Sequence, residues 1–461
     1  MIASLLTPAL LVAGLSAAPS GADPSLPFTT WKLKNGLQVI LHEDHRVPMV
    51  AVDVWVHVGS GDEVPGKSGF AHLFEHMMFQ GSEHVAEDQH FAVLREVGAS
   101  MINGTTSFDR TNYFEVVPAN QLEAALWLES DRLGFLLPHV NQESLKNQRD
   151  VVRNERRQRV DNVPYGSSRM ALFAALYPEG HPFRYQVIGK HEDIEGASLD
   201  DVKGFFRTWY APANVTLALA GDVDEATARA LVDKWFGALL SPPKPVKPPF
   251  PVAALQKNER LEIKDRFAKL VRLQWTWHGA AQYSPDDPDL GVVGDTLGAD
   301  GWGRLYRRLV VEEQLAQSVS AGPSGMNATG QFSIGVTLKP GSDPARVEQI
   351  VRDEVVRLLA EGPNADEVRR SVVDTETNIL FSLDDLLGRA ERLQEMNHYT
   401  GDPGGLSAYL ARVRACTPHS AQAAARRWLA KPRVLVVTVP DTPPPAAPTA
   451  APAVAPKGGA Q

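Results

Sequence analysis

Apolar residues follow two different spacings along this chain, and these spacings predict strands interleaved with long helices. Runs rich in β-branched residues at positions 36–42 and 49–58 predict two strands. A mostly apolar run at positions 69–79, which begins with a glycine, predicts a buried helix. Helical spacing then covers positions 122–136 and 142–159. Strands and helices mixed in this way are typical of α+β domains.

The two halves of the chain share a pattern near their ends. At positions 209–220, and again at positions 427–438, the end of a helix leads into an apolar strand. The proline-rich segment 241–251 lies between the halves, and proline at this density favours an extended linker. We therefore predict a duplication: two similar α+β domains, at 23–240 and 252–440.

The composition is that of an ordinary globular protein that is too long for one core. The 461 residues are 43% hydrophobic and 22% charged, which fits two domains. The net charge of −9 argues against nucleic acid as a partner, because phosphate binding needs concentrated Lys and Arg. The single cysteine, Cys416, excludes an intramolecular disulfide and a cysteine-based metal site.

The two ends of the chain predict processing and disorder rather than folded structure. Residues 1–22 contain an apolar run followed by small residues before Asp23, as in a signal peptide, and the run is too short to span a bilayer. No Lys or Arg precedes this run, so either the true start codon lies elsewhere or the amino terminus supplies the charge. We expect a bacterial periplasmic protein with no membrane span in its mature chain. The Pro/Ala-rich tail 441–461 is expected to be disordered.

The stretch H-L-F-E-H at positions 72–76 is the most informative chemical pattern. On a helix, His72 and His76 are neighbours one turn apart, and Glu75 lies beside them. Two neutral imidazoles at this spacing can bind one zinc ion, with the glutamate directed toward the open coordination position. H-x-x-E-H is the inverted form of a known metallopeptidase motif. The alternative is a helix whose histidines are only hydrogen-bonded polar groups.

Two histidines leave a zinc ion under-coordinated, so a third protein ligand is expected on another element. The helical run 142–159, with Asn141 as its predicted N-cap, offers three carboxylates: Glu143, Asp150 and Glu155. The residues by themselves do not choose among the three.

The phrase V-V-R-N-E-R-R-Q-R at positions 151–159 resembles the pitrilysin family, which includes insulin-degrading enzyme and the mitochondrial processing peptidase. Members carry the same five-residue motif and a glutamate ligand well after it; here Glu155 lies 79 residues after His76. The resemblance implies that His72, His76 and Glu155 hold Zn²⁺ and that Glu75 is the general base. It also implies the metallohydrolase fold of the mitochondrial processing peptidase, in which each domain is a mostly antiparallel sheet covered by helices and the two domains form half of a clamshell.

The resemblance extends to a possible substrate strand. N-G-T-T-S-F-D-R-T-N-Y at positions 103–113 is similar to the edge strand of the family, whose backbone pairs with an extended peptide. By this resemblance Asn103 and Gly104 contact the substrate, with ladder hydrogen bonds supplying affinity and side-chain pockets supplying selection. The alternative from local sequence is a simple hairpin with an Asn-Gly turn.

One departure from the family pattern concerns the support of the metal. Relatives carry a second glutamate seven residues before the ligand, where this chain has Gln148. An amide still forms hydrogen bonds but carries no negative charge. Metal affinity is expected to fall, since such outer partners commonly contribute about 10–100-fold.

A second departure concerns the completeness of the active site. In single-chain relatives the second domain supplies an arginine and, seven residues later, a tyrosine that stabilise the developing oxyanion. This chain has Val310 and Gln317 at these positions. Nearby side chains that could substitute are out of helical phase by one or more residues: Tyr306, Arg307 and Arg308. We therefore predict a zinc-bearing subunit that needs a homologous, non-zinc partner carrying the Arg/Tyr pair.

The sequence leaves three functional hypotheses. The first is a zinc endopeptidase that acts on peptides or unfolded segments as part of a heterodimer. The second is a non-catalytic peptide-binding or structural core subunit of a larger complex, and the third is a protease that is active alone. A His₂Glu site suits zinc, although cobalt or manganese would also fit it. The sequence does not give the cleavage preference, because pocket shape determines it.

Overall fold

The computed structural model describes residues 25–441. The predicted signal peptide, 1–22, and the predicted disordered tail beyond residue 441 lie outside the described residues. Within residues 25–441, no helix is both long and apolar enough to cross a membrane.

The first half of the described chain forms a six-stranded sheet with helices packed against it. Its strands are β1 (Thr29–Lys32), β2 (Gln38–Glu43), β3 (Met49–Val56), β4 (Ser100–Thr106), β5 (Thr111–Pro118) and β6 (Val215–Gly221). Its helices are α1 (Phe70–Met77), α2 (Gln89–Glu96), α3 (Leu122–His139), α4 (Gln142–Arg156), α5 (Gly166–Leu176), α6 (His191–Glu195), α7 (Leu199–Trp209) and α8 (Glu225–Phe236). The strands and helices predicted between residues 36 and 159 all form.

The second half forms a five-stranded sheet. Its strands are β7 (Glu259–Asp265), β8 (Arg272–Gly279), β9 (Ala316–Gly325), β10 (Gly330–Leu338) and β11 (Val434–Pro440). Its helices are α9 (Asp287–Gly298), α10 (Arg304–Tyr306), α11 (Pro344–Glu361), α12 (Ala365–Ser382), α13 (Leu386–Thr400), α14 (Leu406–Arg414) and α15 (Pro418–Leu429). The proline-rich segment 241–251 contains neither helix nor strand.

The second sheet repeats the topology of the first, except that the first has an additional edge strand, β1. The strand order is β1-β2-β6-β3-β5-β4 in the first and β7-β11-β8-β10-β9 in the second. In each sheet the last strand along the chain pairs in parallel with one neighbour (β6 with β2, β11 with β7), and the other pairs are antiparallel. The predicted α+β fold, with two similar and mostly antiparallel sheets, is confirmed.

Each half covers part of the other half's sheet. Helix α13 packs Leu387 and Leu393 on the first sheet, and Gln394 Nε2 donates to the carbonyls of Asp53 and Thr216, each at 2.9 Å. In return, α5 packs on the second sheet, where a cluster of its apolar side chains meets β11. Because each sheet is covered by a helix from the opposite half, the halves share buried surface.

Helix α4 begins where the sequence predicts. Oδ1 of Asn141 accepts from the backbone N–H groups of Glu143 (2.8 Å) and Ser144 (3.1 Å), so the predicted N-cap is confirmed. The α-helix ends at Arg156 and continues as a π-helical turn over Arg157–Asp161. This turn lies beside the candidate site.

Candidate metal centre

Helix α1 is held at its N-terminus by a carboxylate from the preceding loop. Gly69 adopts a left-handed conformation (φ 86°), and the backbone N–H groups of Gly69 and Ala71 donate to Glu63 at 2.9 and 2.8 Å. Leu73 and Met77 are fully buried in the first core. The opposite face of α1 is thereby fixed toward a cleft, and it carries the histidines and the glutamate of the motif.

The two motif histidines converge with Glu155 of α4. Nε2 of His72 and Nε2 of His76 lie 3.5 and 3.1 Å from Oε2 of Glu155. One possible ligand atom from each of the three residues lies within 4.8 Å of the corresponding atoms of the other two. The structure therefore brings together the three residues that the family resemblance selects, whereas Glu143 lies exposed at the start of α4.

The donor set and its protonation fit a zinc ion. Burial, reinforced by the neighbouring His76 ring, lowers the pKa of His72 to about 4, so this imidazole is neutral at neutral pH. The adjacent His76 imidazole lowers the pKa of Glu155, which favours the carboxylate. Oε2 of Glu155 is buried and forms no hydrogen bond with any described residue. Two imidazoles and a carboxylate are a common zinc set.

Arg159 is part of this centre, although no sequence pattern selects it. Its Nη1 lies 2.7 Å from Oε1 of Glu155, one turn further along the π-helical segment. The guanidinium therefore binds one carboxylate oxygen of Glu155, while the other oxygen faces the histidines. The only sequence signal is the i, i+4 spacing of opposite charges, which is frequent on any helix surface.

Glu75 is buried beside the two histidines, and its carboxylate accepts a hydrogen bond from a neighbouring strand. Oγ1 of Thr106, the last residue of β4, donates to Oε2 of Glu75 at 2.5 Å. Burial raises the pKa of Glu75, and the hydrogen bond from Thr106 opposes this shift. A carboxylate with a raised pKa can accept and release a proton near neutral pH. Sequence analysis missed Thr106, whose signal is its position two residues after Gly104 on the same face of the strand.

Strand β4 is the edge of the first sheet, and Asn103 and Gly104 lie within it. Among the described strands β4 pairs only with β5. The connection between these strands is at residues 107–110, so the alternative of an Asn-Gly turn at 103–104 is wrong. A Cβ at Gly104 would lie 3.1 to 3.2 Å from side-chain atoms of Phe79, Glu75 and Tyr113, so glycine lets β4 lie close to α1 without displacing these side chains.

These residues line one cleft of about 450 Å³. The predicted site residues found in its wall are His72, Glu75, His76, Asn103, Gly104 and Glu155. Gln148 is buried on α4, two turns before Glu155, and does not reach the wall. Every lining residue among those described comes from positions 72–188.

The second half therefore contributes no side chain to the wall among the described residues. Val310 packs half-buried against the second core, and Gln317 is exposed on β9. The neighbouring candidates also lie away from the wall: Tyr306, Arg307 and Arg308.

A second group of possible ligands lies buried beneath the sheet. His90, Glu115 and Glu129 also come within 4.8 Å of one another. This group has its own cation, because Nε of Arg132 donates to Glu129 at 3.0 Å. Burial raises the pKa of Glu115 well above its usual range, which favours its neutral form. The group therefore balances its charge without a metal ion.

Comparisons with known proteins identify the family. The model described as insulinase (peptidase family M16) matches residues 38–183, and the model described as peptidase M16 inactive domain matches residues 196–372. The zinc protease PqqE of Helicobacter pylori is 29% identical over 332 residues, which cover 71% of this chain and 72% of the relative. The crystal structure of a protease from Helicobacter pylori has a TM-score of 0.84 at 23% identity, covering 90% of this chain and 100% of that chain. The first half of the periplasmic protease PqqL from Escherichia coli has a TM-score of 0.75 at 17% identity, covering 91% and 94%.

Two similar domains of this topology, with two histidines and a glutamate in a cleft of the first, are typical of one class of metallopeptidase. The chain belongs to the M16 peptidase family, as the resemblance to pitrilysin and insulin-degrading enzyme predicts. The similar structures share this fold over nine-tenths of the chain.

Proposed function

We propose that this chain is a zinc endopeptidase and the zinc-bearing subunit of a two-subunit enzyme. The observation that carries the proposal is the meeting of His72, His76 and Glu155 beside a buried Glu75 in one cleft. The curated relative PqqE is named a zinc protease, which supports the same activity and metal. Hydrolysis of peptides is the reaction that this set of groups performs.

The residues divide into ligands and a proton carrier. His72 and His76 through Nε2, with Glu155 through Oε2, would hold the metal. When bound, zinc would lower the pKa of a water molecule and polarise a peptide carbonyl. Glu75 accepts the proton of the attacking water and passes a proton to the leaving amine. Thr106 keeps the Glu75 carboxylate in place, since it donates to one of the two oxygens.

The free edge of β4 supports an extended peptide as substrate. An added strand would pair with the backbone of Asn103 and Gly104, within the same cleft as the candidate ligands. Such binding requires a chain that is locally unfolded, because a folded strand already uses its backbone hydrogen bonds. Peptides and unfolded segments are therefore the proposed substrate class.

The cleft also supports the need for a partner. Its described wall comes from the first half alone, and Val310 and Gln317 cannot supply a cation or a phenol. A homologous subunit with an arginine and a tyrosine at these positions would face the cleft and close a clamshell over the substrate. We propose a periplasmic location, supported by the signal-like pattern of residues 1–22 and by the location of PqqL.

The test compares the protein alone and mixed with a homologue that carries the Arg/Tyr pair. Cleavage of an unstructured, quenched fluorescent peptide is expected only in the mixture. The Glu75→Gln variant should lose cleavage while it keeps its zinc content, and Glu87→Gln, an exposed residue after α1, should keep both. Full activity of the chain alone would refute the heterodimer.

Retained cleavage by Glu75→Gln would refute the role of the base. If zinc is absent after reconstitution, or if peptides bind but are never cleaved in any mixture, the non-catalytic subunit is the correct hypothesis instead.

A further inference from the structure

The edge strand β4 contains a bulge three residues before Gly104. Ser100 pairs with Val116 and Asn103 pairs with Phe114, so three steps along β4 correspond to two along β5. Met101 lies in this bulge with a φ of 55°. The left-handed region is unfavourable for a residue with an unbranched apolar side chain, and bulges beside active sites commonly redirect a side chain.

The bulge exposes the Met101 side chain over an apolar cavity. Met101 is 60% exposed, which is high for methionine. It borders a cavity of about 610 Å³, a size typical of ligand pockets. The other apolar residues that line the cavity are Val47, Met49, Val116, Leu386 and Leu387.

Four of the five charged side chains at the cavity already have partners within the protein, whereas the side chain of Asp384 is exposed to solvent. Asp44 accepts from Nε and Nη2 of Arg46 at 2.8 and 2.7 Å, and it also contacts the guanidinium of Arg389. Asp385 caps α13 by accepting from the N–H of Gly388 at 2.7 Å. The surface that remains for a ligand is therefore mainly the apolar part of the wall.

The cavity and the metal cleft lie on opposite faces of the same edge. Gly104 and Thr106 face Glu75 on the α1 side of the sheet. Val116 packs with the cluster under α13, on the other side. Successive side chains of a strand point to opposite faces, so a peptide added to β4 would direct alternate side chains toward α1 and toward α13.

We propose that the cavity beside Met101 binds an apolar side chain of the peptide substrate. Since Met101 lies three residues before Gly104 and five before Thr106, this side chain is about three to five residues from the cleaved bond, on one side of it. The inference rests on the proposed function only in that the peptide pairs with β4. It makes the enzyme selective for peptides with a leucine, methionine or phenylalanine at that distance.

The test uses a series of polar, unstructured decapeptides with a fixed cleavage site, in which a single leucine occupies each position in turn. With the full chain and its partner, kcat/KM is expected to rise about tenfold for leucine at one position, as burial of an aliphatic side chain typically gives. Met101→Asn removes the apolar surface, and asparagine tolerates the left-handed conformation required at this position. This variant should lose the leucine preference through KM, so that its kcat/KM for the leucine peptide falls to its value for the all-polar peptide.

Val356→Asn is the matched control, because Val356 on α11 is also 60% exposed. It should keep the leucine preference. Equal preference in wild type and Met101→Asn, or an equal loss for both peptides, would overturn the proposal.

A binding arm separates this inference from the proposed activity. Fluorescence anisotropy of the labelled peptides is measured with Glu75→Gln, which needs no turnover. The leucine peptide should bind more tightly than the all-polar peptide, and adding Met101→Asn should abolish this difference. That result supports the proposed role of the cavity even if no peptide is ever cleaved. Equal affinity for the leucine peptide and the all-polar peptide overturns the proposal, even if both peptides are cleaved.

Discussion

Nη1 of Arg159 lies 2.7 Å from Oε1 of Glu155, while Oε2 of the same carboxylate faces His76 at 3.1 Å. One carboxylate is thus shared between a guanidinium and the candidate metal centre. Arg159 is 77% exposed, so solvent screens much of its charge, and its main effect is to orient Glu155.

Arg159→Ala should therefore weaken zinc binding by about tenfold, at the low end of what outer partners contribute. Competition with a chelator of known affinity measures the change. Arg157→Ala is the control, because Arg157 is exposed on the same turn and donates to Asn154 instead, at 2.8 Å. Tighter zinc binding by Arg159→Ala would mean that charge repulsion, and not orientation, is the larger effect.

A second prediction concerns the amide that replaces the glutamate expected from the family resemblance. Gln148 is buried on the same face of α4 as Glu155, two turns earlier. Gln148→Glu would add a negative charge behind the ligands and should tighten zinc binding by about tenfold. Asn147→Asp makes the same chemical change at an exposed neighbour and should leave the affinity unchanged. An equal gain in both variants would indicate a general charge effect.

Local signals made part of this structure predictable. Asn141 was predicted as a cap because capping depends on a few adjacent residues. The i, i+4 spacing of His72 and His76 likewise identifies a site within a single helix. Glu155 lies on another helix, and only the family resemblance distinguishes it from Asp150 on the same helix.

Other features depend on tertiary contacts that the chain pattern does not contain. The apolar face of α13 predicts burial, but nothing in it indicates that Leu387 and Leu393 cover the sheet of the opposite half. The bulge at Met101 was not predictable either, because methionine is uncommon in the left-handed region. Thr106 becomes informative only when β4 is placed against α1.

A third prediction tests how Glu75 is positioned. Thr106→Val removes the hydroxyl that donates to Oε2 of Glu75. We expect kcat to fall about tenfold, which is part of the 10²- to 10⁴-fold that a general base contributes. KM and zinc content should not change, because the strand and the ligands remain. Thr106→Ser keeps the hydroxyl and should retain most of the activity; an equal loss in Thr106→Ser would mean that the methyl group matters instead.

The fourth prediction concerns a histidine pair that joins the two halves. Nδ1 of His57, just after β3, lies 2.8 Å from Nδ1 of His398 on α13, and the rings stack 5.0 Å apart. At this distance one nitrogen must donate and the other must accept, so the two imidazoles cannot both be in the cationic form. Burial, with positive charge from Lys244 and Lys247, lowers the pKa of His57 to about 3.

Because folding disfavours protonation of the His57 imidazole, this group contributes its full share to the free energy of unfolding above its unfolded pKa of about 6.5. That contribution is lost as the pH falls from 6.5 toward 3. His57→Gln should cost about 1 kcal/mol at pH 7, where a hydrogen bond is lost. Its free energy of unfolding should then fall less steeply than that of the wild type between pH 6.5 and 4. Urea denaturation across this range measures both slopes. His419→Gln, at an exposed position on α15, should reproduce the wild-type slope, and an unchanged slope in His57→Gln would show that the contact between the halves does not titrate.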